Sequence, residues 1–306
     1  MLSRKSCITA ILLLAIAICL PLSKAQAGIM RHDVPEQDYL DFAADSMFQS
    51  VGQIQADWDL GPVYGTGALI SPEWFLTAGH NVWGNDDLGG GISEIRINFG
   101  LDADTPEQTV LGDQIHIYPG YTSSDPWGTD VDLALVHLVD PVFNLMPAEI
   151  YRGTDTRDTL MYMAGFGEYG TGDVGIVGYD GQKRGGSNVA DGFGGDFFYT
   201  GYESQYWMAL FDQPGLTSPE ALEWHAGSGD SGTPWFAQLD GRMQLVGVTS
   251  FVDAGFTYFS STGAVRTSLY TDWIDETTNT AVPEPSTFIM MLGLLPFMLG
   301  FRKRFA

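Results

Sequence analysis

Three residue types together let a hydroxyl oxygen attack a carbonyl. A serine must stand on a tight turn, a histidine must take its proton, and a carboxylate must hold that histidine in one tautomer. The sequence offers each in a suitable setting. Gly227-Ser228-Gly229-Asp230-Ser231-Gly232-Thr233-Pro234 sets Ser231 among glycines, which accept the backbone angles of a sharp turn at little steric cost. Such a turn lets neighbouring amides converge where an oxyanion forms, and Gly229 and Ser231 are the expected donors. Leu76-Thr77-Ala78-Gly79-His80 follows the apolar run 67–70 and ends on an imidazole. Asp130-Val131-Asp132-Leu133-Ala134-Leu135-Val136 offers two candidate carboxylates ahead of an apolar run. A Gly/Ser cluster alone is usually only a turn. The conjunction, in the order His, Asp, Ser, points to acyl transfer.

Residues of this kind need a rigid scaffold with loops at its rim. Strand signals run over 51–56, 64–70 and 74–78, with Ser71-Pro72-Glu73 as the turn between the last two. His80 then falls where a strand ends. Further strands are expected at 115–118 and 131–138, and near a pocket within 197–211, with 161–167 opening the second half. Helical patches are expected at 38–48 and 270–276, the second packing Trp273 and Ile274 onto the second half. The Gly-rich stretch 170–195 reads as a hairpin or insertion. It is not a phosphate loop, because no strand–turn–helix unit surrounds it. His32, His116 and His137 read as surface or structural residues.

Taken in order, the pieces resemble the trypsin/chymotrypsin-like serine proteases. They are T-A-G-H at His80, D-L-A-L from Asp132, A-G-F-G at 164–167, G-D-S-G around Ser231, G-V-T-S-F at 247–251 and Y-T-D-W-I at 270–274. The resemblance spans most of 60–275. It implies an all-β fold of two six-stranded antiparallel barrels with a short C-terminal helix. The boundaries would be 28–58 for an N-terminal segment, 59–145 for the first barrel and 146–278 for the second. It also implies His80, Asp132 and Ser231 as the catalytic residues, Asp132 being preferred over Asp130 because Leu-Ala-Leu follows it. His225, six residues before Ser231, would mark the base of the substrate pocket. Ser250, Phe251 and Val252 would form the wall that pairs with substrate backbone, and Gly263 would line the pocket. No acid stands at His225, so a preference for Arg or Lys is not expected. Val252 favours small or medium apolar side chains; acidic ones fit if His225 is charged. No Ile-Val-Gly-Gly sequence is present to pair with Asp230, and Thr233 stands where the family usually has glycine. These departures leave a second reading: a catalytically vestigial surface-binding module, or a matrix component, of the same fold. The substrate expected on the first reading is protein or peptide.

Composition bounds the rest. The 306 residues are 44% hydrophobic, enough for a sizeable core, and 38 Gly and 15 Pro favour short strands and turns. A formal charge of −24 leaves no basic face for phosphates and argues against nucleic acid as a partner. No cofactor is expected. Asn85, Asp86, Asp87, Glu94, Asp102, Asp104 and Glu107 offer oxygen ligands that suit Ca²⁺. Their spacing matches no fixed Ca²⁺ loop, so a solvated acidic surface is the reading, with Ca²⁺ as the alternative. The only cysteines, Cys7 and Cys19, lie in residues 1–27. That segment reads as a signal peptide: basic start, apolar run, then Ala25-Gln26-Ala27 for signal peptidase. The tail 279–306, with Pro283-Glu284-Pro285, an apolar run and Arg302-Lys303-Arg304, resembles the PEP-CTERM sorting signal. It implies export through the inner membrane, transient membrane association, processing by an exosortase-type peptidase, and a place at the envelope surface or outside the cell.

Overall fold

In the computed structural model the described residues are 28–59, 61–83, 91–122, 131–153, 159–190, 192–193, 205–253 and 255–278. The chain enters through a short strand, β1 (Gly28–Met30), and a helix, α1 (Glu36–Ala43). The helical patch expected over 38–48 is broken in two. Asp45 accepts a hydrogen bond from the Met47 amide (2.9 Å) and caps a separate 3-10 turn, Ser46–Phe48, as a short acidic side chain does at a helix start.

Six strands then close on themselves: β2 (Val51–Trp58), β3 (Gly61–Ser71), β4 (Trp74–Thr77), β5 (Glu94–Phe99), β6 (Gln108–Ile117) and β7 (Ala134–Leu138). Their order round the barrel is β2-β3-β4-β7-β6-β5. The barrel therefore starts at Val51, not at the expected 59. Ile54, Leu69, Phe75, Ile97, Val110 and Val136 point inward and fill it. Closure leaves no unpaired edge, which fixes the register of the strand carrying His80 at its end.

The second half contains β8 (Leu160–Gly165), β9 (Tyr169–Thr171), β10 (Gly175–Gly178), β11 (Arg184–Val189), β12 (Gly192–Phe193), β13 (Tyr206–Leu210), β14 (Trp224–His225), β15 (Pro234–Leu239), β16 (Arg242–Val252) and β17 (Ser261–Arg266). The all-β, two-barrel plan holds, but this half is not a closed six-stranded cylinder. It is a seven-stranded sheet, β11-β8-β15-β16-β17-β13-β12, beside a four-stranded sheet, β10-β9-β1-β14. The Asn188 side chain on β11 donates to the Leu210 carbonyl on β13 (2.9 Å), so the larger sheet curls back towards its own far edge.

A shared core joins the halves. Leu76 and Leu133 from the first meet Phe166, Phe236 and Leu245 from the second. The chain ends in helix α2 (Thr271–Thr278), where Ile274 is buried in that shared core. Trp273 does not rest on the second half alone as expected: its ring packs edge-on against Tyr118, just beyond β6 (5.2 Å). Arg184, fully buried, pairs with Glu36 of α1 (2.6 Å) and with Asp180 (3.0 Å), pinning the entry helix to β11. Among the described residues no helix is long and apolar enough to cross a membrane. Segments 1–27 and 279–306, with both cysteines, lie outside the described residues, as do Asp130 and 85–87.

Candidate active site

β4 ends at Thr77 and the chain turns through one 3-10 turn, Gly79–Asn81. This turn presents His80 to solvent while burying both neighbours. Asp132 lies just before β7, buried (5% exposed). Its Oδ1 accepts the His80 amide (2.8 Å) and its Oδ2 meets His80 Nδ1 (2.7 Å). The carboxylate thus fixes both the backbone and the ring of the histidine. A side chain at Gly79 would press on Asp132 Oδ1 at 3.1 Å, so the close approach suits glycine.

The third partner of Asp132 is Ser250, whose hydroxyl donates to Oδ2 (2.6 Å). Backbone register explains the aim. β16 and β17 pair as Thr249↔Ala264 and then Phe251↔Gly263, so Ser250 is the extra residue of a bulge. Bulges re-aim a side chain in this way. Sequence reasoning put Ser250 in the pocket wall and missed this hydrogen bond.

Ser231 sits on a turn held from both halves. Its carbonyl accepts the Thr66 amide of β3 (2.8 Å) and the Asn81 side-chain amide (2.8 Å). Asn81 is the residue after His80, so the turns carrying imidazole and hydroxyl are tied directly. Gly232 has φ +89°, and a Cβ there would meet the Thr66 carbonyl at 2.0 Å. Among the described residues, the amides of Gly229 and Ser231 have no backbone acceptor. Asp230 is fully buried; its two oxygens accept the amides of Gly167 and Gly227 (2.8 Å each). Burial pushes its pKa up to about 7 despite those bonds. Backbone donors therefore satisfy this acid. The amides of Thr66, Gly167 and Gly227 carry no signal in residue type alone, since their roles rest on backbone contacts; Asn81 acts through its side chain and was not singled out from the sequence.

Burial alone would pull the His80 pKa down. The charge of Asp132 and its hydrogen bond outweigh that and leave the pKa above 6.5. Burial pushes Asp132 up, but the His80 charge and the bonds from His80 and Ser250 bring it below its ordinary value.

The remaining residues expected at a pocket cluster on β14, β16 and β17. His225 is fully buried, with Nδ1 on the Ala226 carbonyl (2.8 Å), and burial lowers its pKa to about 4. The Phe251 ring covers Gly263, where a Cβ would clash at 2.3 Å. Val252 lies opposite Thr262, whose hydroxyl accepts the Ala226 amide (3.1 Å). Thr262 was not singled out from the sequence; only strand pairing reveals it. Among the described residues no group of three or more His, Cys, Asp or Glu side chains could hold a metal. Glu94 pairs with Arg96, and Asp102 accepts from the Asp104 amide and from Gln182.

The fold is the trypsin fold. HL collagenase superposes with a TM-score of 0.60 at 19% identity, covering 78% of this chain and 96% of that one. Residues 48–183 match the family model described as Trypsin, a span that includes His80 and Asp132 and stops before Ser231. The chain thus has the trypsin fold and, over 48–183, is similar to the Trypsin family. Urokinase-type plasminogen activator of Gallus gallus is 25% identical over 269 residues, 79% of this chain and 60% of the relative. Calcium-dependent serine proteinase of Mesocricetus auratus is 38% identical over 80 residues, 25% of this chain and 11% of the relative. The chain thus spans less than two thirds of the length of either relative.

Proposed function

We propose that the chain is a serine endopeptidase that hydrolyses peptide bonds through an acyl-enzyme. The observation that carries this is the Asp132–His80 pair, completed by the Ser250 hydroxyl and tied through Asn81 to the turn of Ser231. Ser231 Oγ attacks the carbonyl carbon while His80 Nε2 takes its proton. Asp132 holds the ring and stabilises its charged form. The Gly229 and Ser231 amides receive the oxyanion. As the tetrahedral adduct collapses, His80 returns the proton to the leaving amine. Water then repeats the sequence to release the acid and free Ser231. One oxyanion donor of this kind lowers the barrier by about 3 kcal/mol.

Pocket chemistry favours small or medium apolar side chains. Val252 and Thr262 oppose each other on paired strands, and His225 is neutral above about pH 4. A neutral, buried imidazole gives no charge to hold an acidic side chain, and no carboxylate stands at that position for a basic one. Peptide substrates with Ala or Val before the scissile bond should turn over fastest; a clear preference for Arg, Lys or Glu refutes the assignment.

A fluorophosphonate probe tests the enzyme itself. It should label the purified protein at Ser231, and Ser231→Ala should lose both label and turnover while melting as the parent does. A folded chain that never labels is the surface-binding module instead. The ends support a further reading: cleavage after Ala27, export, and processing of the tail near Pro283-Glu284-Pro285. Mass spectrometry of the cell-associated protein decides it, since an intact Arg304 excludes tail processing.

A further inference from the structure

The turn of Ser231 is bracketed by two strands. The Gly232 amide donates to the Thr249 carbonyl of β16 (2.7 Å), and the Ser231 carbonyl accepts the Thr66 amide of β3 (2.8 Å). A peptide whose acyl part lies along β16 therefore continues past the scissile bond on the β3 side. β3 pairs with β4 only from Gly67 onward, so 61–66 overhang the barrel rim there. Thr66 turns both backbone groups away from β2, the amide to Ser231 and the carbonyl to the Thr77 hydroxyl (2.6 Å). The two-residue repeat of an antiparallel ladder gives Tyr64 the same orientation. Among the described residues no backbone group outside the strand ladder takes up its N–H or C=O. A Cβ on Gly229 would stand 3.9 Å from the Tyr64 carbonyl, so this overhang lies beside the turn of Ser231.

Side chains add chemistry to it. The Tyr64 ring stacks on Tyr179, which follows β10 (centroids 5.8 Å apart, planes 27° apart). Both stay open to solvent, at 41% and 37% exposed. Tyr179 is fixed from the first half: its hydroxyl accepts Gln53 Nε2 (2.5 Å), and the buried Gln53 accepts Asn98 Nδ2 (3.3 Å). A carboxylate stands nearby. Asp102 bridges to Gln182, and the Ala103 amide donates to the Gly181 carbonyl (2.8 Å). That pairing sets Asp104 against Gly181, where a Cβ would meet its carboxyl carbon at 3.1 Å. Asp104 is exposed and its charge acts on Tyr179. Among the described residues no cation pairs with it.

We propose that Tyr64, Tyr179 and Asp104 hold an arginine side chain of the substrate, one to three residues after the scissile bond; this rests on the endopeptidase reading. A guanidinium lies flat on an aromatic face and bonds a carboxylate through its fork. An aromatic side chain would use the rings but not the carboxylate. The substrate backbone runs along the overhang and meets the N–H and C=O of Tyr64, as an added strand does. None of these three side chains takes part in the proton transfers of hydrolysis.

The test uses peptides of one composition, with Ala before the scissile bond and a single Arg. The Arg stands either at one of the first three positions after the bond or well before it, so net charge and long-range steering stay the same. At the best of the near positions kcat/KM should be about fivefold or more above the distant placement, the scale of a cation on an aromatic face, and the gain should lie mainly in KM. Tyr64→Ala and Asp104→Asn, both at exposed side chains, should each reduce that gain. Both variants should hydrolyse an activated ester with no residue after the bond as the parent does. Calorimetry on Ser231→Ala, which cannot turn the peptides over, should give the same order of binding. Equal binding of the two placements, a gain that survives both substitutions, or tighter binding when Phe replaces the near Arg overturns the proposal while fluorophosphonate labelling of the parent stands. A parent that neither labels nor cleaves overturns the endopeptidase reading, and the proposal with it.

Discussion

A single histidine sets the pH response. Its pKa lies above 6.5 because the attraction of Asp132 exceeds the effect of burial. On the proposed mechanism His80 accepts a proton from Ser231 only when neutral, so kcat/KM should rise with pH through that raised pKa and level off on the alkaline side. The linkage has the opposite sign for stability. A raised histidine pKa contributes stability that is complete below the unfolded value and is lost as pH rises through the folded one. Activity and this part of the stability should therefore move in opposite directions across neutrality. Rate and melting profiles on one preparation check both, and an acid maximum in kcat/KM contradicts the assignment. Ser250→Ala removes a hydrogen bond to a charged, buried carboxylate, an interaction contributing about 1.5–3 kcal/mol. The loss should appear in kcat more than in KM, since Ser250 bonds Asp132 and not the substrate.

Short elements carry more of the site than their length suggests. β1 is three residues long, yet it lies between β9 and β14, pairing Ile29 with Gly170 on one side and with His225 on the other. Gly28 donates to the Glu168 carbonyl (2.9 Å), and the Glu168 amide donates to the Ser228 carbonyl (2.5 Å). The entry strand thus reaches the turn of Ser231 through one residue. Gly28 has φ +77°, and a Cβ there would meet Trp224 Nε1 at 2.3 Å. Gly28→Val should cost at least about 1–3 kcal/mol from backbone strain alone, read as a lower melting temperature. Probe labelling at Ser231 should slow as well; unchanged labelling would show that β1 does not support the turn. The bulge at Ser250 acts similarly within β16, turning one hydroxyl out of the pocket wall and onto Asp132.

At the scale of the whole molecule, charge and division into halves dominate. The chain as a whole carries a formal net charge of −24 and so a negative long-range field. Such a field attracts cationic substrates and is screened by salt. For matched peptides differing only in charge away from the scissile bond, kcat/KM of the cationic one should fall with ionic strength while a neutral one holds steady. Parallel behaviour of the two would rule out steering. The shared core of Leu76, Leu133, Phe166, Phe236 and Leu245 holds the halves in register. Loosening it should lower catalysis before it unfolds either half.

Much was legible from the chain by itself. Glycines around Ser231, an apolar run ending at His80 and another beginning at Asp132 are local patterns, and local backbone preference and burial are written in residue order. Strand alternation likewise placed β2, β3 and β4 close to where they lie. Contacts between residues far apart in the chain were not legible. The Ser250 bond to Asp132 depends on a bulge, the Val252–Thr262 pairing on register, and the role of Gly28 on a three-residue strand too short to show a period. The amides on Asp230 are backbone encounters that any sequence with the same fold could make, and the Asn81 side chain reaches the Ser231 carbonyl only because two distant turns meet. Residue types supplied the chemistry; only the packing of two halves brought Ser250 onto Asp132 and the Ser231 carbonyl onto Asn81, because distance in space is set by the strand pairings of the whole chain.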